Sequence, residues 1–390
     1  MAGNRLFRVI IIVCCALLSN CYLAKQGYYV AKYSFGARSI RKTLADTSID
    51  ARQRQFLVRK LAIREFAFDS IGLARNRNYS TWVKINKGYL VDVVAASAPD
   101  HFAPYVWHFP FFGGFPYKGF FSRKDALREV ARLRRKGYDV TLSPVDAFST
   151  LGFFSDPVYS FMEEFTPYEL ASLIIHEETH ATVYLKNRTA LNEEMAEFVG
   201  DNGALWFLKC AYGDTSAAYR EALLEKADDA VWDQKLRELY DTLASVYGTS
   251  ISRDEKLARK TAIIASFKRE LTDHYADYFK SDRFKGIDKA NINNAYLAVR
   301  MNYFGEDSLF EDLYRRDNNS LAAVVERIKK LRKLKRGESP EEILRRKIEE
   351  CRILKVKIKQ IIICENFCHS RRRSFHAFKF IDANVCGVTA

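Results

Sequence analysis

The chain has 390 residues, 48% of them hydrophobic and 14% aromatic, which excludes a disordered polymer and supplies one large domain, or two, with a core. The net charge of +14 invites a polyanionic partner, but from Arg327 onward 18 Lys/Arg stand against 7 Asp/Glu, so the tail carries +11 and the body only +3. The body thus lacks the basic excess of a nucleic-acid binder, and no nucleic-acid partner is expected.

The opening "MAGNRLFR" holds Arg5 and Arg8 ahead of "VIIIVCCALL", an apolar run too short for a bilayer, which takes roughly 20 residues. This pattern reads as an export signal over residues 1–21. "LLSNC" follows, and Leu18-Ser19-Asn20-Cys21 resembles a bacterial lipobox, in which Cys21 becomes the lipidated first residue; Asn20 departs from the Gly, Ala or Ser usual there. Lipidation at Cys21 is the expectation, with an ordinary cleaved signal or an uncleaved anchor as alternatives. All three put the body outside the cytoplasm, at a bacterial cell envelope. Cys210 is the one cysteine between leader and tail, so no disulfide framework is expected.

Between Lys25 and about Leu73, apolar residues recur at three- and four-residue spacing without proline, which predicts helices. From Tyr79 to Val145, β-branched and aromatic runs broken by Gly and Pro predict a sheet. Within it, "KDALREVARLRRKGYDVTL" reads as a helix from Lys124 to Arg135, a stop at Gly137, then a strand. The stretch "WHFPFFGGFPYKGFF" suits either the wall of a substrate cleft or a Phe-rich core hairpin, and "STLGF" either an edge strand pairing with substrate or ordinary sheet.

From Thr166 to about Tyr314 helical spacing returns, with turn signals near Gly213, Gly248, Gly286 and Gly305. The fold class is therefore α+β, mostly helical, with a small sheet region before the helix that carries the chemistry. A domain over residues 22–325 is followed by a basic helical tail, 326–390. In the tail, Ser339 caps a helix with Pro340 at its first turn and Glu342 three residues after the cap. That basic amphipathic helix is either a solvated face packed on one side or a membrane- or partner-binding surface.

The chemistry centres on "TPYELASLIIHEETHATVYLKNRTALNEEMAEFV", Thr166 to Val199. Thr166 can cap a helix, Pro167 suits its first position, and Glu169 completes a reciprocal capping pair. No breaker follows for about five turns, to Leu185. His176 and His180 stand one turn apart on one face and can reach a single cation, while Glu177 projects beside them toward a water. A catalytic zinc needs three protein ligands and one open position. A third histidine six residues after His180 is excluded by Lys186, so the remaining solution is a carboxylate on a second, antiparallel helix. "NEEMAE" offers Glu193 as that ligand, with Glu197 one turn on, placed to accept an imidazole N–H. Zinc held by His176, His180 and Glu193 would lower the pKa of a water toward ~7, and Glu177 would take its proton and return it to the leaving amine. Tyr303 is the candidate oxyanion donor, ahead of Tyr296 and His274.

His176-Glu177-x-x-His180 followed by Asn192-Glu193-x-x-Ala196 resembles the gluzincin arrangement, of which thermolysin is a member. More narrowly, the leader, "FGGFPYKGFF" (Phe112 to Phe121), "FSTLGFFSDP" (Phe148 to Pro157), "HEETH", "NEEMAEFV" and "NNAYLAVRMNY" (Asn293 to Tyr303) resemble a bacterial family whose aminopeptidase activity is inferred from its motif. The similarity runs from about residue 18 to 325. Phe148 stands where that family usually has Tyr. The resemblance implies a zincin-like fold, a zinc metallopeptidase acting on peptides, and a lipid anchor; a scaffold that binds peptides or a partner protein without turnover is the alternative. No Gly-x-Met-Glu-Asn segment is present to hold a substrate amine, and Glu163 and Glu164 are the substitutes.

Overall fold

The computed structural model describes residues 22–109, 113–146, 157–186, 188–301, 309–334 and 338–349. Cys21, Phe148, Tyr303, "STLGF" and the tail beyond residue 349 lie outside them. The chain opens with α1 (22–36), β1 (Arg38–Ser39), α2 (Ile40–Ala45) and α3 (Ala51–Asp69). Asp50 caps α3 by accepting from Gln53 N at 2.7 Å, and α3 buries Phe56, Leu57, Ile63 and Phe68. No described helix is long and apolar enough to cross a membrane.

The β-rich stretch is real but split into three small sheets. β2 (Thr81–Val83) lies between β1, antiparallel, and β8 (Val158–Tyr159), parallel. β3 (Val91–Ser97) is the centre of the second sheet, antiparallel to β6 (Tyr117–Phe120) and β7 (Asp139–Val145). β4 (Trp107–Phe109) and β5 (Gly113–Phe115) form a hairpin, so the aromatic stretch supplies three strands. The helix α4 (Arg123–Arg135) joins β6 to β7 and lays Ala126, Val130 and Leu133 on Val94, Ala96 and Val140. It ends as the glycine signal requires, with Gly137 at φ +82.

After a 3-10 turn at Ser160–Glu164, the remaining elements among the described residues are helical: α5 (Pro167–Thr182), α6 (Thr189–Tyr212), α7 (Ala217–Tyr247), α8 (Arg253–Asp273), α9 (Tyr275–Tyr278), a 3-10 turn (Ile287–Lys289), α10 (Asn294–Met301), α11 (Leu309–Arg316), α12 (Leu321–Leu331) and α13 (340–349). The α10 helix is tied to the β3–β7 sheet. Asn294 N donates to Asp139 Oδ2 at 2.9 Å, Asn294 Nδ2 to Ala98 O at 2.9 Å, and Lys260 Nζ of α8 to the same Asp139 oxygen at 2.9 Å. This node accounts for the polar start of "NNAYLAVRMNY" in structural terms. Ser339 caps α13 as expected, accepting from Glu342 N at 3.3 Å. Ile328, Leu331 and Leu344 pack into the same core as α3, α5 and α6. Packing therefore carries the core past residue 325, where the change in charge had suggested the domain's end; a basic helix can still bury its apolar side.

The closest helix pair is α5 with α6. A Cβ on Gly200 would stand 2.9 Å from the Ser172 carbonyl oxygen and 3.1 Å from His176 Cβ, and one on Gly203 would stand 2.8 Å from Ile71 Cδ1 and 3.0 Å from Ile175 Cγ2. Glycine in a helix interior costs about 1 kcal/mol relative to alanine, so these two are tolerated for the backbone approach they permit. Gly200→Ala is expected to destabilise the fold by about 1–3 kcal/mol in denaturant unfolding. Gly88→Ala, whose added Cβ meets nothing within 4 Å, should stay within about 0.5 kcal/mol of the parent.

Behind α5 lies a buried lysine. Lys60 of α3 is 0% exposed and its Nζ makes no hydrogen bond among the described residues. Burial, reinforced by the charge of Arg64, holds its pKa well below the usual lysine range, against the opposing pull of Glu178 and Glu65. The unfolded chain thus binds a proton below pH 10.5 that the folded chain refuses, so this residue makes stability fall as pH drops from 10.5 toward the folded-state pKa. Lys60→Met should remove that slope. Its stability advantage over the parent, from urea titrations at several pH values, should grow as pH falls from 10.5, by at most about 1.4 kcal/mol per unit.

Candidate metal centre

The helix α5 starts with the reciprocal cap that its sequence advertises. Glu169 N donates to Thr166 Oγ1 at 3.1 Å, Thr166 N donates to Glu169 Oε2 at 2.9 Å, and Pro167 occupies the first turn. It ends earlier than expected, at Thr182, with Val183 extended. Long-range hydrogen bonds impose this end. Ala74 N donates to Thr182 Oγ1 at 2.9 Å, and Arg332 Nη1 donates to the Thr182 carbonyl at 3.2 Å.

One buried side chain clasps the connection to α6. Asn192, 1% exposed, accepts from Leu185 N at 2.9 Å and donates to Leu185 O at 2.8 Å. With Gly200 seated on Ser172 and His176, the two helices run antiparallel, and Glu193 comes opposite the histidines.

His176 Nε2 and His180 Nε2 are 3.1 Å apart, and Glu193 reaches them with Oε2 at 3.6 Å and Oε1 at 3.5 Å. Donor atoms of all three residues lie within 4.8 Å of one another. Tetrahedral zinc with bonds of about 2.0–2.1 Å sets its ligand atoms about 3.3 Å apart, so the spacing and the two-nitrogen, one-oxygen donor set fit that ion. The site also sits near the C-terminal, electronegative end of α5 and the N-terminal end of α6, favourable for a cation beside His180 and an anion at Glu193.

Burial alone would raise the Glu193 carboxyl, but the two imidazoles facing it, His176 and His180, hold it at about 2. Burial would lower His176; Glu193, Glu177 and Glu197 outweigh it and raise the imidazole. Glu177 is not among the three convergent donors. Its pKa is raised, by burial first and by Glu193 second, while the two histidines oppose the shift. Glu178 points the other way into the core, where it accepts from Asn76 Nδ2, and burial pushes it up to about 7.

Glu197 acts on His176 through its charge. It lies one turn beyond Glu193 yet makes no hydrogen bond to either imidazole among the described residues, and His180 Nδ1 is buried with none. Glu197 keeps an exposed face, and its surroundings are the acidic wall of the site. Loss of solvation, then Asp201 and Asp233, push it up to about 7 against Arg300 and His176. Along this wall Ser172 Oγ donates to Asp201 at 2.8 Å, Arg300 pairs with Asp233 at 2.5 Å, and Arg283 pairs with Asp229 at 2.7 Å.

Other candidates separate. His274 is exposed at the end of α8 and pairs with Asp277 at 3.4 Å. Tyr296 is half-buried on α10, its hydroxyl pushed up by burial, beside Arg300 and Asp233. Glu164 pairs with Arg52 at 2.5 Å near the start of α3, and Glu163 stands beside it, in the field of Asp50 and Arg52. The two glycines of α6 escape sequence reading, whereas Tyr117 lies in the stretch read as a possible cleft wall. Gly200 and Gly203, three residues apart inside a helical pattern, carry a signal of close backbone approach. Tyr117 of β6 is half-exposed and feels the Glu193 charge, so part of the aromatic stretch borders the site.

No curated protein and no solved structure matches the chain. A family model described as "Putative aminopeptidase" matches residues 21–343, spanning the sheets, both helices of the histidine–glutamate cluster and the start of α13. On that match, the chain belongs to this aminopeptidase family.

Proposed function

We propose that this protein is a zinc-dependent peptidase, an aminopeptidase by family, that hydrolyses peptide bonds with water at the bacterial cell envelope, held there by a lipid on Cys21. The observation that carries the reading is the convergence of His176, His180 and Glu193 with Glu177 alongside. When bound, zinc supplies Lewis acidity, polarising the peptide carbonyl and acidifying a water. His176, His180 and Glu193 would hold the ion, and their two helices fix the spacing of the donors.

Glu177 stays free of coordination as the proton carrier. Its carboxylate takes a proton from the attacking water, and the same oxygen returns it to the departing amine, so the residue ends the cycle as it began. Tyr117, at the border of the site, forms a wall for substrate side chains. Tyr303 remains the proposed partner of the developing oxyanion.

The purified full chain is expected to hold stoichiometric zinc by elemental analysis, and Glu193→Ala to release it to a chelator that leaves the parent loaded. Glu177→Gln should keep the metal and lose peptide hydrolysis by about 100-fold or more. Equal turnover by Glu177→Gln and parent would sink the mechanism, and zinc without hydrolysis in the parent would favour a binding protein. Cleavage of peptides with a free N-terminus but not of their acetylated counterparts is the expected mark of an aminopeptidase; equal cleavage would make it an endopeptidase.

A further inference from the structure

The outer face of α1 has no partner among the described residues, although its inner face is firmly placed. The Tyr22 hydroxyl donates to Gly119 O at 2.6 Å, Gln26 Oε1 accepts from Phe121 N at 3.2 Å, and the rings of Tyr29 and Tyr33 lie 5.4 and 5.8 Å from that of Phe121. With those residues inward, the helical repeat puts Tyr28, Lys32 and Phe35 together on the opposite side. Tyr28 is 61% and Phe35 89% exposed.

Single exposed apolar residues are ordinary, but the charge around these two is not. Residues 22–45 contain Lys25, Lys32, Arg38, Arg41 and Lys42 and no acid, in a body whose charges nearly balance. Lys25 pairs with Asp125, whereas Lys32, Arg38, Arg41 and Lys42 are exposed. The apolar run "VIIIVCCALL" ends three residues before α1 begins.

We infer that the outer face of α1, continued by the basic α2, lies flat on an anionic lipid surface. Tyr28 and Phe35 enter the boundary between headgroups and acyl chains, and Lys32, Arg38, Arg41 and Lys42 meet lipid phosphates. Aromatic rings flanked by lysine and arginine favour that depth, because the rings bury while the cations stay at the wet surface. The neighbouring apolar run favours a lipid surface over an acidic protein. The inference rests on residues 22–45 and is independent of the peptidase reading.

A membrane-tethered chain need not lie on the membrane, and the test separates the two. A helix standing upright would lift residue 35 about 20 Å from its start, whereas a flat one would hold it at the surface. Phe35→Trp and, on α7, Leu223→Trp are made in the full chain and mixed with vesicles of brominated phosphatidylcholine containing phosphatidylglycerol as the anionic lipid. Tryptophan emission is read as the difference from the parent. The expected result is a blue shift and a quenching slope at position 35 at least about threefold that at 223, reduced when Lys32→Glu and Arg41→Glu are added. Equal slopes at both positions, or no change on replacing the anionic lipid with neutral lipid, would overturn the inference. So would a position-35 emission already blue-shifted without vesicles, which would mean that another part of the chain or a second copy covers this face.

Discussion

The backbone contact between α5 and α6 is the constraint on which the site depends. Two donors sit on one helix and the third on the other, so the distance between the helix axes becomes the distance between ligands. Gly200 and Gly203 remove the side chains that would hold the helices apart, and Ile174, Ile175, Met195 and Val199 fill the seam on either side. The seam is sealed from behind by Ile71, which reaches Gly203 from the end of α3. The residue just past α3 thus helps to set the spacing of the site without contributing a donor to it.

What the sequence made legible was mostly local. The capping box of Thr166 and Glu169, the stop at Gly137 and the pairing of His176 with His180 are each set by residues within one or two helical turns, and each is found where expected. Glu193 was reached by elimination and helix rotation, and it does stand opposite both histidines, because the short connection leaves an antiparallel return as the packing solution. The end of α5 was missed because its causes lie far away in sequence, at Ala74 and Arg332. Rotation places Glu197 on the face of Glu193, but rotation does not know that Asp201, Asp233 and Arg300 gather beside it. Leu344 packs into the core, as suits a basic helix with one side against the domain.

The charge of the site runs against that of the chain. A protein of net charge +14 gathers Glu177, Glu193, Glu197, Asp201, Asp229 and Asp233 along α5, α6 and α7, with Arg283 and Arg300 as their partners. Local sign of this kind is what acts on a ligand entering a cleft, since distant charges are screened within about 10 Å at moderate ionic strength. The basic surplus lies mainly after Arg327, where it leaves this local balance untouched.

The clasp formed by Asn192 has a consequence for how such a site can change over time. Both backbone groups of Leu185 are satisfied by one amide, next in sequence to Glu193, so the register of the turn is stored in α6 itself. Tyr184 and Lys186, on either side of Leu185, are exposed. The loop's outward residues are therefore free to drift in size and charge, and could be reshaped for new substrates or neighbours, while the turn's register is inherited with the buried Asn192.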